Sequence, residues 1–239
     1  MANLIQSNNA NIKIFGGKLS AAPVNGGGNS LLTGLQAFYK LSDLTDSSGN
    51  NLTLTNNGNV TFASGKIGDA AEFTADHDKY LTVGNDLGQI TETGFSMSVW
   101  FKRYTDTNAY LIDSEVSSQY GWFLGTNAGG SIWFLAGEGS WSIVKQINPD
   151  TSWVVDQWHH LVITLNSSGD ISYYVDGQVQ STSDSEVSWT PAGLRFGSNS
   201  FDSGANLDGQ IDAVGIWNRA LNEGEVSALY NSGNGLELN

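Results

Sequence analysis

The chain has 239 residues, 39% hydrophobic and 11% aromatic with eight Trp, enough for one large domain or two small ones around a substantial core. Ten Lys and Arg stand against 24 Asp and Glu, a net charge of −14, which argues against nucleic acid or an anionic membrane as partner and is compatible with a cation or a neutral glycan. The absence of Cys excludes disulfides and thiolate metal sites, and no stretch approaches the ~18 consecutive apolar residues of a membrane span.

In chain order, the opening MANLIQSNNANIKIFGG lacks the basic and long apolar regions of a secretory signal. NIKIF (11–15) forms one strand, and GGKLSAAPVNGGGNS after it has the Gly, Asn and Pro content of a flexible linker. Residues 1–34 therefore read as an arm and 35–239 as the globular domain. From Gly34 onward the hydrophobic pattern has period two. FSMSVWFKR (95–103) sets Phe95, Met97, Val99 and Phe101 on one face, with Ser96, Ser98, Trp100 and Lys102 on the other. GWFLG and SIWFLAG flank the turn TNAGG, and WHHLVITL (158–165) meets ISYYV (171–175) through NSSGD. Asp176-Gly177 is the signature of a two-residue hairpin. LRFGS (194–198) and IDAVGIW (211–217) complete roughly a dozen short strands separated by turn residues. One short helix closes the chain: Asn222 and Glu225 form a capping box, Val226 and Leu229 are apolar, and Gly233 suits the stop. The expected fold is an all-β, two-sheet antiparallel jelly-roll sandwich with one short C-terminal helix.

The strand IDAVGIW poses a question. Strict alternation puts Ile211, Ala213, Gly215 and Trp217 on one face and Asp212, Val214 and Ile216 on the other, so one carboxylate falls in an apolar row. A buried, unpaired carboxylate costs several kcal/mol, about enough to demand a partner. Backbone amides, Arg195, Arg219 or a cation are the candidates.

Taken together, GLQAFYKLSD and DSSGNNLTL (34–54), GKIGDAAEF (65–73), YLTV (80–83), FSMSVWFK, DQWHHLVITL with GDISYYVDGQVQ (156–180), LRFGS and LDGQIDAVGIWNRALNEGEVSALYNSG (207–233) resemble the laminin G-like jelly roll of the concanavalin A-like lectin/glucanase superfamily, in its bacterial and phage branch. The resemblance covers the domain and leaves out the arm. It implies a fold shared by lectins, adhesion modules and hydrolases. It also implies one structural calcium, held between an early loop and the Asp of the late G-x-I-D strand. Here these are Asp46 with Asn50 or Asn51, in DLTDSSGNNL (43–52), and Asp212. Calcium takes 6–8 hard oxygen ligands, which an Asp- and Asn-rich turn facing a carboxylate can supply. That turn does not match an EF-hand, and by itself it also reads as an Asx turn.

Catalysis is not expected. Retaining glucanases of the superfamily carry E-x-D-x-x-E on one strand, and no such run exists here; Glu72, Asp113, Glu115 and Asp176 are scattered. His159 and His160 point to opposite strand faces and cannot share a metal; the resemblance makes WHH a packing motif. Trp100, Trp122, Trp133, Trp158 and Trp217 lie in strand patterns and are expected in the core. Trp141, Trp153 and Trp189 sit in or beside polar stretches and are candidates for stacking on a sugar. Asn-x-Ser/Thr occurs at Asn51, Asn59 and Asn166, as chance provides in such a chain.

The expected function is a non-catalytic binding or decoration module on the surface of a phage virion, as capsid decoration or tail adhesin. It is expected to be homo-oligomeric, docked to a capsid or tail protein through residues 1–34, and able to bind a glycan or host-cell surface. The alternative is a secreted or cell-surface carbohydrate-binding module; a glycoside hydrolase is the remote third.

Overall fold

In a computed structural model, the structure describes residues 12–15, 18–21, 30–84, 87, 94–114, 120–138, 141–147, 154–184, 193–199 and 204–238. Strands β1 (Ile12–Phe15) and β2 (Lys18–Ala21) pair as an antiparallel hairpin forming a sheet of its own. The expected lone strand of the arm thus has a partner. Ser30–Gly34 are tied to the domain: Leu31 is fully buried, and its carbonyl accepts a hydrogen bond from Trp217 Nε1 at 2.6 Å.

The domain is the expected two-sheet antiparallel sandwich. One sheet contains β4 (Thr55–Asn57), β7 (Tyr80–Val83), β9 (Ala109–Asp113), β10 (Tyr120–Thr126), β11 (Ile132–Glu138), β12 (Trp141–Ile147) and β16 (Leu194–Phe196), in the order β12-β11-β10-β9-β16-β7-β4. The other contains β5 (Thr61–Ser64), β6 (Asp69–Thr74), β8 (Phe95–Arg103), β13 (Trp158–Leu165), β14 (Asp170–Val175), β15 (Gln178–Asp184) and β17 (Asp208–Trp217), in the order β15-β14-β13-β8-β17-β6-β5. Its eighth strand, β3 (Leu35–Tyr39), pairs with the second half of β17.

The period-two rows become the two sides of each sheet. Phe95, Met97, Val99 and Phe101 enter the core between the sheets, together with Leu161, Ile163 and Leu165 from β13 and Trp122, Leu124 and Phe134 from β10 and β11. Burying each such side chain contributes about 1.5–3 kcal/mol. A second apolar cluster lies on the outer side of the eight-stranded sheet. There Phe38, Trp100, Val162 and Trp217 pack beneath Leu31, Leu221, Leu238 and the helix α1 (Glu223–Tyr230).

Helix α1 starts where its sequence specifies. Asn222 Oδ1 accepts from the Glu225 amide at 3.0 Å, while Glu225 Oε2 accepts from the Asn222 amide at 3.0 Å. Its stop differs from expectation. The chain turns at Asn231, which takes a left-handed φ of 50°, and Gly233 falls in the short 3-10 turn that follows. Asp176-Gly177 joins β14 to β15 with both residues at positive φ, 48° and 74°, as a two-residue hairpin turn requires.

β17 corrects the strict alternation. Asp212 registers with Trp100 of β8, but Gly215 registers with Ser98, so three steps on β17 match two on β8. The extra residue is a β-bulge at Ala213, whose φ is 45°. Such a backbone in a non-glycine residue costs about 1–2 kcal/mol. The bulge changes the parity of the strand. Ile211, Val214 and Ile216 all face the core between the sheets, whereas Ala213 and Trp217 join the outer cluster. Asp212 therefore does not share a row with Val214 and Ile216.

Candidate functional site

Asp46 and Asp212 sit on opposite sides of β3. Asp46 bridges to Tyr39 at the end of that strand, and Tyr39 registers with Val214 of β17. Asp46 Oδ1 accepts from the amides of Phe38 at 3.0 Å and Ser48 at 2.8 Å, and Oδ2 accepts from Ser48 Oγ at 2.8 Å and the Leu52 amide at 3.1 Å. The carboxylate sews the turn onto β3. In the same turn Asn50 donates to the carbonyls of Leu35 and Gln36 at 3.3 and 2.9 Å, and Asn51, at a left-handed φ of 59°, donates to the Gly49 carbonyl at 3.4 Å.

The Asp212 carboxylate binds a different loop. Its Oδ2 accepts from the amides of Lys66 at 2.7 Å and Ile67 at 2.8 Å, between β5 and β6. Gly65 makes the approach feasible, since a Cβ there would lie 2.7 Å from that oxygen. Asp212 is fully buried, and Oδ1 has no hydrogen-bond partner among the described residues. Burial pushes its carboxyl up to about 6, with the Ile67 and Lys66 amides pulling the other way. It faces a narrow crevice lined by Phe38, Lys40, Ile67, Ala213 and Glu237, where Lys40 and Glu237 form an ion pair. The two arginines considered as partners are engaged elsewhere. Arg219 grips Glu225 with two bonds of 2.7 and 2.8 Å, and Arg195 donates to Ser198 Oγ at 3.0 Å and to the His77 carbonyl at 3.2 Å. Among the described residues no group of three or more His, Asp or Glu side chains is gathered to hold a metal ion.

Of the tryptophans singled out for stacking, Trp141 opens β12, the edge strand of the seven-stranded sheet, and Trp153 and Trp189 lie outside the described residues. Of the five expected in the core, Trp100, Trp122 and Trp217 are buried. Trp133 and Trp158 are only half-buried, because they fall on outward rows of their sheets.

Trp133 leads to a feature that sequence reasoning missed. On the outer side of the seven-stranded sheet, Gly125 of β10 registers with Trp133 of β11 on one side and with Tyr110 of β9 on the other. Two strand spacings of about 4.8 Å set the aromatic residues roughly 10 Å apart across a floor that has no side chain. A Cβ on Gly125 would meet the Ala109 carbonyl oxygen at 2.7 Å, so the floor must be glycine. The approach comes from a bulge in β9, where the register shifts between Leu124 and Gly125 of β10. Phe123 supports Tyr110 edge-on at 4.8 Å between ring centroids.

The next row runs Phe123, Asp113, Arg195, Thr82 and Thr55 across five strands. Arg195 lies flat on Tyr80, 3.4 Å from the ring centroid. Burial lowers its guanidinium, while Tyr80, Asp113 and Asp78 favour the charged form. Chemically, the face offers two half-buried aromatic residues flanking a buried glycine, a fixed cation and hydroxyls. Glycine between aromatic walls is the signal that could have found it, had the register been known.

The histidine pair has structural partners. His160 is buried, stacks on Trp100 at 4.8 Å and shares a 2.8 Å hydrogen bond with Ser98 Oγ. Burial pushes it down to about 3, so it is neutral. His159 Nδ1 lies 3.0 Å from Asp176 Oδ2. Glu72 accepts from Tyr104 on the other sheet, and Glu115 lies outside the described residues. No helix among the described residues is long and apolar enough to cross a membrane.

The chain is similar to a curated protein of Paraclostridium bifermentans, the non-toxic nonhemagglutinin, at 22% identity over 84% of this chain and 17% of that one; it thus spans about a sixth of that relative's length. Among solved structures, the binding domain of Paraclostridial Mosquitocidal Protein 1 superposes with a TM-score of 0.67 at 20% identity, over 85% of this chain and 53% of that one. Domain 4 of AbnA, a GH43 extracellular arabinanase from Geobacillus stearothermophilus, in complex with arabinotriose, superposes with a TM-score of 0.64 at 21% identity, over 84% of this chain and 98% of that domain. None of these three is a virion protein, so the virion expectation gains nothing from them. The family model of the Concanavalin A-like lectin/glucanases superfamily matches residues 74–227, from the end of β6 into α1 and well over half of the chain. With the two-sheet topology, that match establishes that this chain belongs to the Concanavalin A-like lectin/glucanases superfamily.

Proposed function

We propose that this chain is a non-catalytic binding module that attaches to a glycan on an extracellular surface through the slot over Gly125. The observation that carries the reading is the glycine floor between Trp133 and Tyr110. Aromatic faces stack on the C–H face of a sugar ring, and the half-buried rings of Trp133 and Tyr110 flank the buried Gly125 at the rim of this face. AbnA domain 4, which holds arabinotriose, supports an extracellular carbohydrate-binding module over a virion component. Hydrolysis would need two carboxyl groups ~5–10 Å apart across the scissile bond. The row beside the slot brings one, Asp113, which is 1% exposed and registers with Arg195.

The test is a glycan array, then titration calorimetry with the best ligand and with arabinotriose. Trp133→Ala and Tyr110→Ala are expected to weaken binding at least ~10-fold, as loss of aromatic anchors does, without lowering the melting temperature by more than a few degrees. An array blank for the folded wild type, or binding that survives both substitutions, would sink the slot reading.

Calcium at Asp46 and Asp212, with Asn50 or Asn51, is a separate proposal of a structural role. It is supported by the oxygen-rich turn and by Asp212 Oδ1, which is buried with no hydrogen-bond partner among the described residues. Any ion there must compete with the amides that already hold both carboxylates. If bound, it would supply a positive charge for the buried carboxylate.

A further inference from the structure

The outer side of the eight-stranded sheet is covered unevenly. The rows Val162–Ser98–Gly215–Phe38 and His160–Trp100–Asp212 hold residues of the outer cluster, under α1 and the segments around Leu31 and Leu238. The next row lies beyond them. It runs Trp158, Lys102, Gln210, Glu72 and Thr61, in register across β13, β8, β17, β6 and β5. Trp158, Lys102 and Glu72 are half-buried and Thr61 is exposed. Four strand spacings give the row a length of roughly 19 Å.

This row is not a plain solvated strand face. Lys102 Nζ sits 5.2 Å from the Trp158 ring centroid and 5.4 Å from that of Tyr104, the residue just past the end of β8. Tyr104 donates its hydroxyl proton to Glu72 Oε1 at 2.8 Å, which fixes ring and carboxylate relative to each other. At the centre of the row, Gln210 is 2% exposed; its Nε2 donates to the Ser64 carbonyl at 3.3 Å, and its Oε1 is buried with no hydrogen-bond partner among the described residues. An acceptor in that condition asks for a donor from outside.

Two occupants are excluded by the surroundings. β13, β8, β17 and β6 are each paired on both sides, so between Trp158 and Glu72 an extended peptide finds no strand edge to join, and the edge strand β5 lies beyond Glu72. An anionic ligand meets the charges of Glu72, Asp156 and Asp208, which act on Tyr104 and, with its burial, raise its phenol. Two ring faces, one ammonium, a carboxylate and an unmet amide oxygen along a flat strip suit a neutral ligand rich in hydroxyls and C–H faces. We propose that the Trp158–Lys102–Tyr104–Glu72 strip is a second saccharide-binding surface, taking a short neutral oligosaccharide laid across the strands, on the opposite sheet from the Gly125 slot. One chain would then be bivalent, with its two sites facing away from each other, so that it could bridge two glycan chains.

The experiment uses the full chain, with arabinotriose and maltotriose as neutral probes and sialyllactose as the anionic one. The Trp158 indole N–H resonance, assigned with Trp158→Phe, is followed during titration of wild type and of the double variant Trp133→Ala/Tyr110→Ala. The expected result is a saturable shift of that resonance with a neutral probe that persists in the double variant. Trp158→Ala and Glu72→Gln should each weaken this residual binding at least ~5-fold while the melting temperature holds. A silent resonance with both neutral probes at ~20 mM, a shift that disappears with the slot variant, or a stronger shift with sialyllactose overturns the proposal. Because the slot is removed in the double variant, its failure and that of this strip are read separately.

Discussion

The outer sides of the two sheets are built from similar Trp- and Tyr-bearing strands, yet they end in different conditions. On the eight-stranded sheet, Trp100 and Trp217 are sealed under α1 and both ends of the domain; on the seven-stranded sheet, Trp133 and Tyr110 stay half-exposed around a glycine. An aromatic residue on a strand becomes structure or binding surface according to whether the chain's own ends return to cover it. Here residues 30–34 and 218–238 both return to one sheet, held by Trp217 Nε1 on the Leu31 carbonyl and by Arg219 on the carbonyls of Ser30 and Thr33 at 2.7 Å each. Where those two segments do not reach, Trp133 and Tyr110 are only half-buried among the described residues.

The largest expected break in that contrast is Trp217→Ala. The side chain is fully buried and bonded to the Leu31 carbonyl, so its loss should cost about 3–5 kcal/mol in a urea titration. The same substitution at Trp133 should cost far less stability. Equal losses would mean that the seven-stranded sheet is covered as firmly as its partner.

A smaller effect sharpens the sealed side. In the folded protein the Asp212 carboxyl titrates at about 6, above the ordinary 3.8 of an exposed Asp in the unfolded chain. Its contribution to stability is therefore complete below pH ~4 and is lost as pH rises through 6, a cost of about 3 kcal/mol at high pH. In chelator, stability should rise by about 1–2 kcal/mol between pH 7.5 and pH 5, and Asp212→Asn should flatten that slope. The carboxyls of Asp43, Asp176 and Glu225 are lowered, so their contributions fade only at more acidic pH. Millimolar calcium should abolish the slope if the ion binds Asp212; a melting temperature that does not differ between chelator and calcium removes the calcium proposal. The smallest effect belongs to the cover itself. Asn222→Ala, which removes the cap of α1, should cost about 1 kcal/mol and leave saccharide binding unchanged.

Much of this molecule was legible one segment at a time. The inward row of FSMSVWFKR, the Asp176-Gly177 hairpin and the Asn222–Glu225 capping box depend on residues a few positions apart, so local periodicity and turn chemistry determined them. The family resemblance followed from the order of such pieces. Other properties depend on residues far apart in the chain. The amides that hold Asp212 lie 146 and 145 residues before it, and its face was misread because one bulge at Ala213, shaped by pairing with β8, reverses every later side chain of the strand. Whether Trp133 or Trp217 was core could not be read from alternation, which gives a residue's side of a sheet but not what lies over that side. The Gly125 slot is a fact of register among three strands, and register is set by long-range pairing; only the tertiary structure decided it.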